Sequence, residues 1–305
     1  ARKNSTKKYT QSSAHNRAVK GNDMAKHILG AALAKARSEE LKSSVEALKL
    51  NGVEPKLVIV RFGDQAGDLA YERGIIRTFA PIGILVETRK LDEHAPQSEL
   101  LDVFKALAQD PSVHGILPMR PFPKQIDDEA ARNAIPPEKD SDGVCDRSLA
   151  GLFTGSKTGY APCTAEACMA LLDYEQIPLE GKRAVVVGRS LVIGKPVTML
   201  LLQKNATVTI AHSRTKDLAN VTREAEILIV AAGKRALIGA EHVSPGQTVL
   251  DVGMHFDEHG GPYGDVNFEA VEPVVSAVTP ARGGVGSVTT VILASHVVDA
   301  AERIF

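Results

Sequence analysis

Aromatic side chains are scarce in this chain. They make up 4% of residues, with no tryptophan, too few for the stacked platforms on which single-strand nucleic-acid binders lay their bases. Cysteine is scarce as well: Cys145, Cys163 and Cys168 are the only three. Their odd number and the lack of a CxxC pair exclude a disulfide framework and a structural zinc site of ordinary spacing, and a reducing, cytoplasmic compartment is expected. Neither sign of charge dominates, with 36 basic side chains against 37 acidic ones, so nothing global points to nucleic acid or to an anionic membrane. No apolar run approaches the roughly 20 residues that would span a bilayer.

What is present is an average globular composition, 44% hydrophobic over 305 residues, enough for two domains with real cores. Residues 1–23 form a basic tail; its first 22 residues carry six Lys/Arg and no acid, a composition shared by organellar transit peptides and disordered tails. Beyond it helix and strand patterns alternate. Apolar spacing predicts a helix over 24–49, stopped by Asn51-Gly52. Strands are predicted at 56–62, 84–90 and 113–118, with helices at 68–80 and 98–109 between them. After a Pro- and Asp-rich stretch read as loop (120–163), the pattern resumes. Helices are expected at 164–174 and 194–203, strands at 183–187, 207–211, 226–230, 248–252 and 275–278, and a last helix from about 289 to 304. Such regularity means βαβ units around parallel sheets. The fold class is therefore α/β and two-lobed, an N-terminal α/β substrate lobe (24–160, with the C-terminal helix 289–305 packing back) and a C-terminal Rossmann-type parallel sheet (161–288). Ligands in such sheets lie beyond the carboxyl ends of the strands.

The sharpest local feature is the strand Ala184–Val187 running into Gly188-Arg189-Ser190 and then Gly194-Lys195-Pro196. A strand, a glycine turn and a helix start place backbone N–H groups and a positive helix end where a pyrophosphate could lie. The spacing is G-x-S-x-x-x-G rather than GxGxxG, and a steric need for glycine in the turn explains it equally well on its own. The next strand ends Ala211-His212-Ser213-Arg214-Thr215, without the acid that usually accepts from a ribose 2′-hydroxyl. Arg214, Ser213 and Arg189 suit a 2′-phosphate instead, so NADP is expected over NAD.

Several segments in order resemble the methylenetetrahydrofolate dehydrogenase/cyclohydrolase family. They are Tyr71 twelve residues before Gly83-Ile84, the run Pro136 to Gly143 (PPEKDSDG), Pro162-Cys163-Thr164, Gly188 to Pro196, Ala211 to Thr215, Gly264-Asp265-Val266, and Val278 to Gly286 (VTPARGGVG). The resemblance implies a homodimer of two-lobed subunits, binding tetrahydrofolate derivatives in the cleft between lobes and NADP on the C-terminal lobe. It implies that Tyr71 stacks on the aminobenzoyl ring and Asp142 holds the pterin edge, with Met119, Pro280, Gly283 and Gly284 completing the substrate site. It implies nucleotide contacts at Thr164, Gly188, Arg189, Ser190, Gly194, His212, Ser213, Arg214 and Gly253. The chemistry agrees: a planar ligand wants an aromatic face, and a carboxylate accepts two parallel hydrogen bonds. Read without the resemblance, Tyr71 could be half-buried core and Asp142 could cap its own turn.

The chain also departs from the family. The position of the family's catalytic lysine, four residues after the tyrosine, is Ile75, and the glutamine that bonds that lysine is replaced by Met119. Arg282 and Ser287 stand where the glycine-rich loop has prolines. Exchanging both members of a polar pair avoids stranding one of them, at a cost of about 1–3 kcal/mol, and reads as a rebuilt pocket. Hydride transfer needs mainly alignment and is expected to survive. Hydrolysis of the methenyl ring needs proton transfer and is expected to weaken or to use another group; Arg73, Arg77 and Arg120 are nearby but stay charged.

Other residues are given bland readings. Cys163 has no evident histidine partner in sequence and is read as a small packed residue. His255, Asp257 and His259 precede two glycines and read as loop, so no metal is expected. The competing function is a non-catalytic NADP-binding sensor or interaction protein on the same fold, which would take nucleotide and ignore folate. A two-lobed dehydrogenase acting on an amino acid or a shikimate-like acid would need a Lys–Asp pair that is not found.

Overall fold

The computed structural model describes residues 24–256 and 261–303; the basic tail, Asp257, His259 and the end of the last predicted helix lie outside them. The chain opens with a two-residue strand, β1 (Lys26–His27), and then α1 (Ala31–Leu50). The helix expected from residue 24 thus starts at 31: residues 26–27 are drawn into extended form by pairing in parallel with a strand 251 residues on, Lys26 beside Ala277. Asn51 caps α1 and Gly52 follows at φ 82°, as the Asn-Gly signal requires. The first lobe continues with β2 (Lys56–Phe62), α2 (Ala66–Ile82), β3 (Leu85–Leu91), α3 (Gln97–Gln109) and β4 (Gly115–Pro118). Its three strands are parallel in the order β3-β2-β4.

The central strand β2 shows why a near-continuous apolar run was needed. Leu57 and Ile59 face a cluster shared with Phe79 of α2, while Val58, Val60 and Phe62 face Leu100 and Phe104 of α3. Both faces are covered, so alternation would bury a polar side chain. The stretch read as loop between 120 and 163 contains two short helices, α4 (Asp128–Asn133) and α5 (Asp146–Thr154). Each starts with a side-chain cap, Asp127 accepting from Ala130 N and Cys145 Sγ from Ser148 N, a local device that the density of Pro and Asp had concealed.

The second lobe runs α6 (Cys163–Tyr174), β5 (Arg183–Val187), α7 (Gly194–Gln203), β6 (Thr207–Ala211), α8 (Leu218–Arg223), β7 (Ile227–Val230) and β8 (Thr248–Asp251). A small hairpin, β9 (His255–Phe256) with β10 (Pro262–Tyr263), then precedes α9 (Phe268–Val271), β11 (Ala277–Val278) and α10 (Gly286–Glu302). The six-stranded sheet is parallel, in the order β1-β11-β8-β7-β5-β6. The order reverses at β5, between β7 and β6, and ligands of such sheets bind outside the strand ends at that point. Helix α10 is buried along most of its length and packs on α1 and α2 of the first lobe as well as on α6 of the second. No helix among the described residues is long and apolar enough to cross a membrane.

One buried carboxylate ties the end of β8 to the segment after the hairpin. Asp251 accepts from the backbone N–H groups of Gly253, Asp265 and Val266 at 2.9–3.0 Å, and Gly264 leaves no room for a Cβ beside it. Asp251→Ala would leave three donors without an acceptor. Destabilisation of about 3 kcal/mol or more is expected, readable as a lowered urea midpoint with unchanged slope.

Candidate active site

The site is assembled by four segments that meet at the carboxyl end of β4. Helix α2 brings Asp68 and Tyr71 on successive turns of one face. The residues after β4 supply Met119 and Arg120, and the turn Lys139 to Gly143 supplies Asp142. Together with Val192, from the turn after β5, these side chains line one cavity of about 560 Å³. Tyr71 is 38% exposed, not packed away as core. Nor does Asp142 cap its own turn. That role falls to Asp140, whose carboxylate accepts from Val144 N, Cys145 N and Ser148 Oγ at 2.7–3.1 Å. Gly143 turns the chain at φ 67°, where a Cβ would lie 2.5 Å from the backbone of Ala161. Asp142 is thereby left facing the cleft.

Ile75 lies elsewhere. It is fully buried, in the same apolar cluster as Met119, Phe79 and Leu117, and does not line the cavity. The two residues that stand where a polar pair was expected therefore share one dry cluster, of which Met119 alone reaches the cavity wall.

Electrostatics separate the acids and bases of the cleft. Burial, reinforced by the negative charge of Asp140, pushes Asp142 up to about 6, opposed by a hydrogen bond from the Cys163 thiol and by His296 and Arg120. Burial and the neighbouring Asp142 push the Tyr71 phenol up, so it keeps its proton. Arg120 is held by Asp128 through Nε and Nη2 at 2.7–2.9 Å.

Cys163 does have a histidine partner, contrary to the sequence reading: His296 Nδ1 lies 3.6 Å from its sulfur. The pair is separated by 133 residues, which is why spacing gave no sign of it. Burial and Asp142 push the thiol well above its usual range, so it is no nucleophile. His296 donates from Nδ1 to the Ser141 carbonyl at 2.8 Å and from Nε2 to Glu166 at 2.9 Å. Burial opposes the charged ring, but the Glu166 carboxylate outweighs it and holds His296 above its ordinary value. This hydrogen-bonded His296–Glu166 pair lies beneath the floor of the cleft.

A second hollow, about 420 Å³, lies over the ends of β5, β6 and β7 and is lined by Gly188, Arg189, Ser190, His212, Ser213 and Lys234 among others. Gly188 has φ 140° and a Cβ on it would stand 2.2 Å from the Ala231 carbonyl oxygen; one on Gly194 would stand 2.3 Å from the Gly188 oxygen. Both glycines are demanded by close backbone approach. Ser190 Oγ accepts from Ile193 N and Gly194 N, fixing the turn. His212 Nδ1 accepts from Arg214 N at 3.2 Å, leaving Nε2–H as a free donor. Donors and two cations around a glycine-floored hollow fit a phosphorylated dinucleotide.

The structure therefore gathers Tyr71, Met119 and Asp142 in one cavity and Gly188, Arg189, Ser190, His212 and Ser213 in another. Thr164, Gly253, Pro280, Gly283 and Gly284 line neither, and Gly194 lies under the second as a packing residue. Arg214 is exposed and absent from the hollow's lining; Lys234, which sequence reasoning passed over, is present. Its place just after β7, in Ala-Ala-Gly-Lys, was the available signal. Asp68 was passed over too, although it lies one turn before Tyr71. His255 bonds Asp265 at 2.7 Å, and among the described residues no three His, Cys, Asp or Glu side chains gather as metal ligands.

Comparison with known proteins bears on these cavities. Residues 28–142 match the family model described as the catalytic domain of tetrahydrofolate dehydrogenase/cyclohydrolase, and residues 162–305 match its NAD(P)-binding domain. The chain is 46% identical over 281 residues to the bifunctional protein FolD of Carboxydothermus hydrogenoformans, covering 92% of this chain and 98% of the relative. A crystal structure of the bifunctional enzyme FolD, methylenetetrahydrofolate dehydrogenase/cyclohydrolase, from Campylobacter jejuni superposes with a TM-score of 0.90 at 37% identity, covering 92% of this chain and all of that one. The FolD of Trypanosoma brucei, complexed with NADP cofactor and inhibitor, gives 0.87 at 32% identity, covering 92% and 99%.

Proposed function

Because the chain belongs to the tetrahydrofolate dehydrogenase/cyclohydrolase family, we propose that it oxidises 5,10-methylenetetrahydrofolate to the methenyl form with NADP and hydrolyses the methenyl ring to 10-formyltetrahydrofolate. The observation that carries this reading for the chain's own residues is the shared cavity of Tyr71 and Asp142, an aromatic face and a carboxylate in one cleft. Tyr71 stacks on the aminobenzoyl ring. Asp142, charged above about pH 6, accepts paired hydrogen bonds from the pterin edge, and Met119 closes the wall between. Val192 extends from the nucleotide turn into the same cavity, so one short segment borders both ligands and sets their distance.

NADP, when bound, supplies the hydride acceptor. Arg189, Lys234, Ser213 and His212 would hold its phosphates and ribose, and the backbone of Gly188 would pass beneath the pyrophosphate. Residues 24–160 are the folate-binding domain and 161–288 the nucleotide-binding domain in this reading, with α10 fastening them; the working unit is a homodimer in the cytoplasm. The buried, unpaired Cys145, Cys163 and Cys168 suit a reducing compartment.

The test is an assay with methylenetetrahydrofolate and NADP. NADPH formation is expected; a chain that binds NADP, forms no NADPH and ignores a folate inhibitor would be the sensor protein instead. Cation placement makes a further prediction. Arg189→Ala and Lys234→Ala should each lower the kcat/KM preference for NADP over NAD by about 10-fold or more, as expected for loss of a charge-assisted phosphate contact. Arg214→Ala should change it far less.

A further inference from the structure

Opening a methenyl ring with water requires a group that takes a proton from water and returns one to nitrogen. The titratable side chains lining the cleft are Asp68, Tyr71, Arg120 and Asp142. Tyr71 keeps its proton and cannot act as a base. Arg120 is fixed by Asp128, and a guanidinium is a poor proton shuttle. Asp142 is engaged with the Cys163 thiol and, in the reading above, with the pterin.

Asp68 alone is uncommitted: its carboxylate has no hydrogen-bond or ion-pair partner among the described residues. It stands in the first turn of α2, three residues before Tyr71 and on the same face, so it flanks whatever stacks on that ring. It also borders a third, open hollow of about 620 Å³ that shares Gly67, Asp68, Met119 and Pro121 with the cleft. This junction gives water a route to the carboxylate.

We propose that Asp68 is the proton-transferring residue of the hydrolytic step, in a chain whose lysine position is filled by Ile75. The inference rests on the folate reading. Water attacks the bridging methenyl carbon; the C–O bond forms, the π pair returns to nitrogen, and the water proton passes to Asp68. In the resulting carbinolamine the Asp68 proton goes to N5 as the C–N5 bond breaks. The hydroxyl oxygen becomes the formyl C=O, releasing its proton to solvent. The net change is one water consumed and one proton released. Burial raises Asp68 above its ordinary value, with Arg61 opposing and Glu72 reinforcing the rise, which moves it toward the range of a useful acid–base pair. Glu93, His94 and Lys124 also border the adjoining hollow.

The experiment measures methenyl hydrolysis and NADPH formation in the same enzyme preparations of the wild type, Asp68→Asn and Asp68→Glu. The ratio of hydrolysis to dehydrogenation should fall about 10²-fold in Asp68→Asn and recover in part in Asp68→Glu. Because each ratio is internal to one preparation, misfolding does not mimic the effect. An unmoved ratio in Asp68→Asn, or a wild type that makes methenyl product and does not hydrolyse it, overturns the assignment. A wild type that forms no NADPH overturns the folate reading itself, and the assignment with it.

Discussion

Asp142→Asn should lower kcat/KM for methylenetetrahydrofolate by about 10²-fold or more, the loss expected when two hydrogen bonds to a charged acceptor are weakened. Asparagine keeps the size of the side chain but offers an N–H where the pterin edge presents donors. The nucleotide hollow is separate, so NADP should still raise the melting temperature of the variant, which distinguishes a lost folate contact from a lost fold. The pH dependence gives an independent signature. Asp142 is raised from 3.8 to about 6 in the folded chain, the reverse of the ordinary aspartate case. The folded state holds this proton more tightly than the unfolded one, so the group's contribution to stability is greatest at low pH and declines as pH rises from 3.8 to about 6. Substrate binding runs the other way, since the anchor must be charged. Folate affinity should strengthen as pH rises through about 6 in the wild type and stay level in Asp142→Asn. A wild-type folate affinity that is flat between pH 5 and 7 would remove Asp142 from the role of anchor.

Gly188→Ala should damage both the stability of the nucleotide lobe and its hold on NADP. At φ 140° an L side chain is strained, and the added Cβ would meet the Ala231 carbonyl oxygen at 2.2 Å. That atom belongs to the backbone after β7 and cannot swing aside as a side chain would. Strain and overpacking together come to about 2–4 kcal/mol, which for a chain of this size lowers the melting temperature by roughly 5–10 °C. Relieving the contact must move the turn whose N–H groups face the nucleotide, so NADP affinity should fall by about 10²-fold. Calorimetry with and without NADP reads both effects. An alanine variant that NADP stabilises as much as the wild type would show that this turn does not carry the nucleotide.

β2 and β5 were legible because they lie inside their sheets and are buried along almost their whole length. Both were bounded correctly from apolar, β-branched runs, as was the more exposed edge strand β6, and Asn51-Gly52 marked a real helix end. Short elements were not legible. β1 is extended because β11 lies beside it, a fact that no local pattern carries. α4 and α5 are too brief for periodicity and depend on the side-chain caps Asp127 and Cys145. The acid that lines the cleft with Tyr71 and the lysine that replaces Arg214 in the nucleotide hollow were hidden for a related reason. A charged residue in sequence looks the same whether it faces a ligand or bulk water.

Composition, the order of apolar segments and a handful of glycine positions were enough to determine an α/β chain of two lobes, since those features are set by local backbone geometry and by which surfaces must be buried. The chemistry of reduced folate and NADP came from the resemblance of its ordered motifs to a known family. Only the tertiary structure decided which of two neighbouring aspartates caps the turn and which faces the cleft. It also decided that Ile75 is sealed in the core while Asp68 lines the cleft and the hollow beside it, and that Cys163 meets His296. These outcomes depend on segments far apart along the chain converging to a few ångströms, where desolvation and charge act on a side chain according to its neighbours in space.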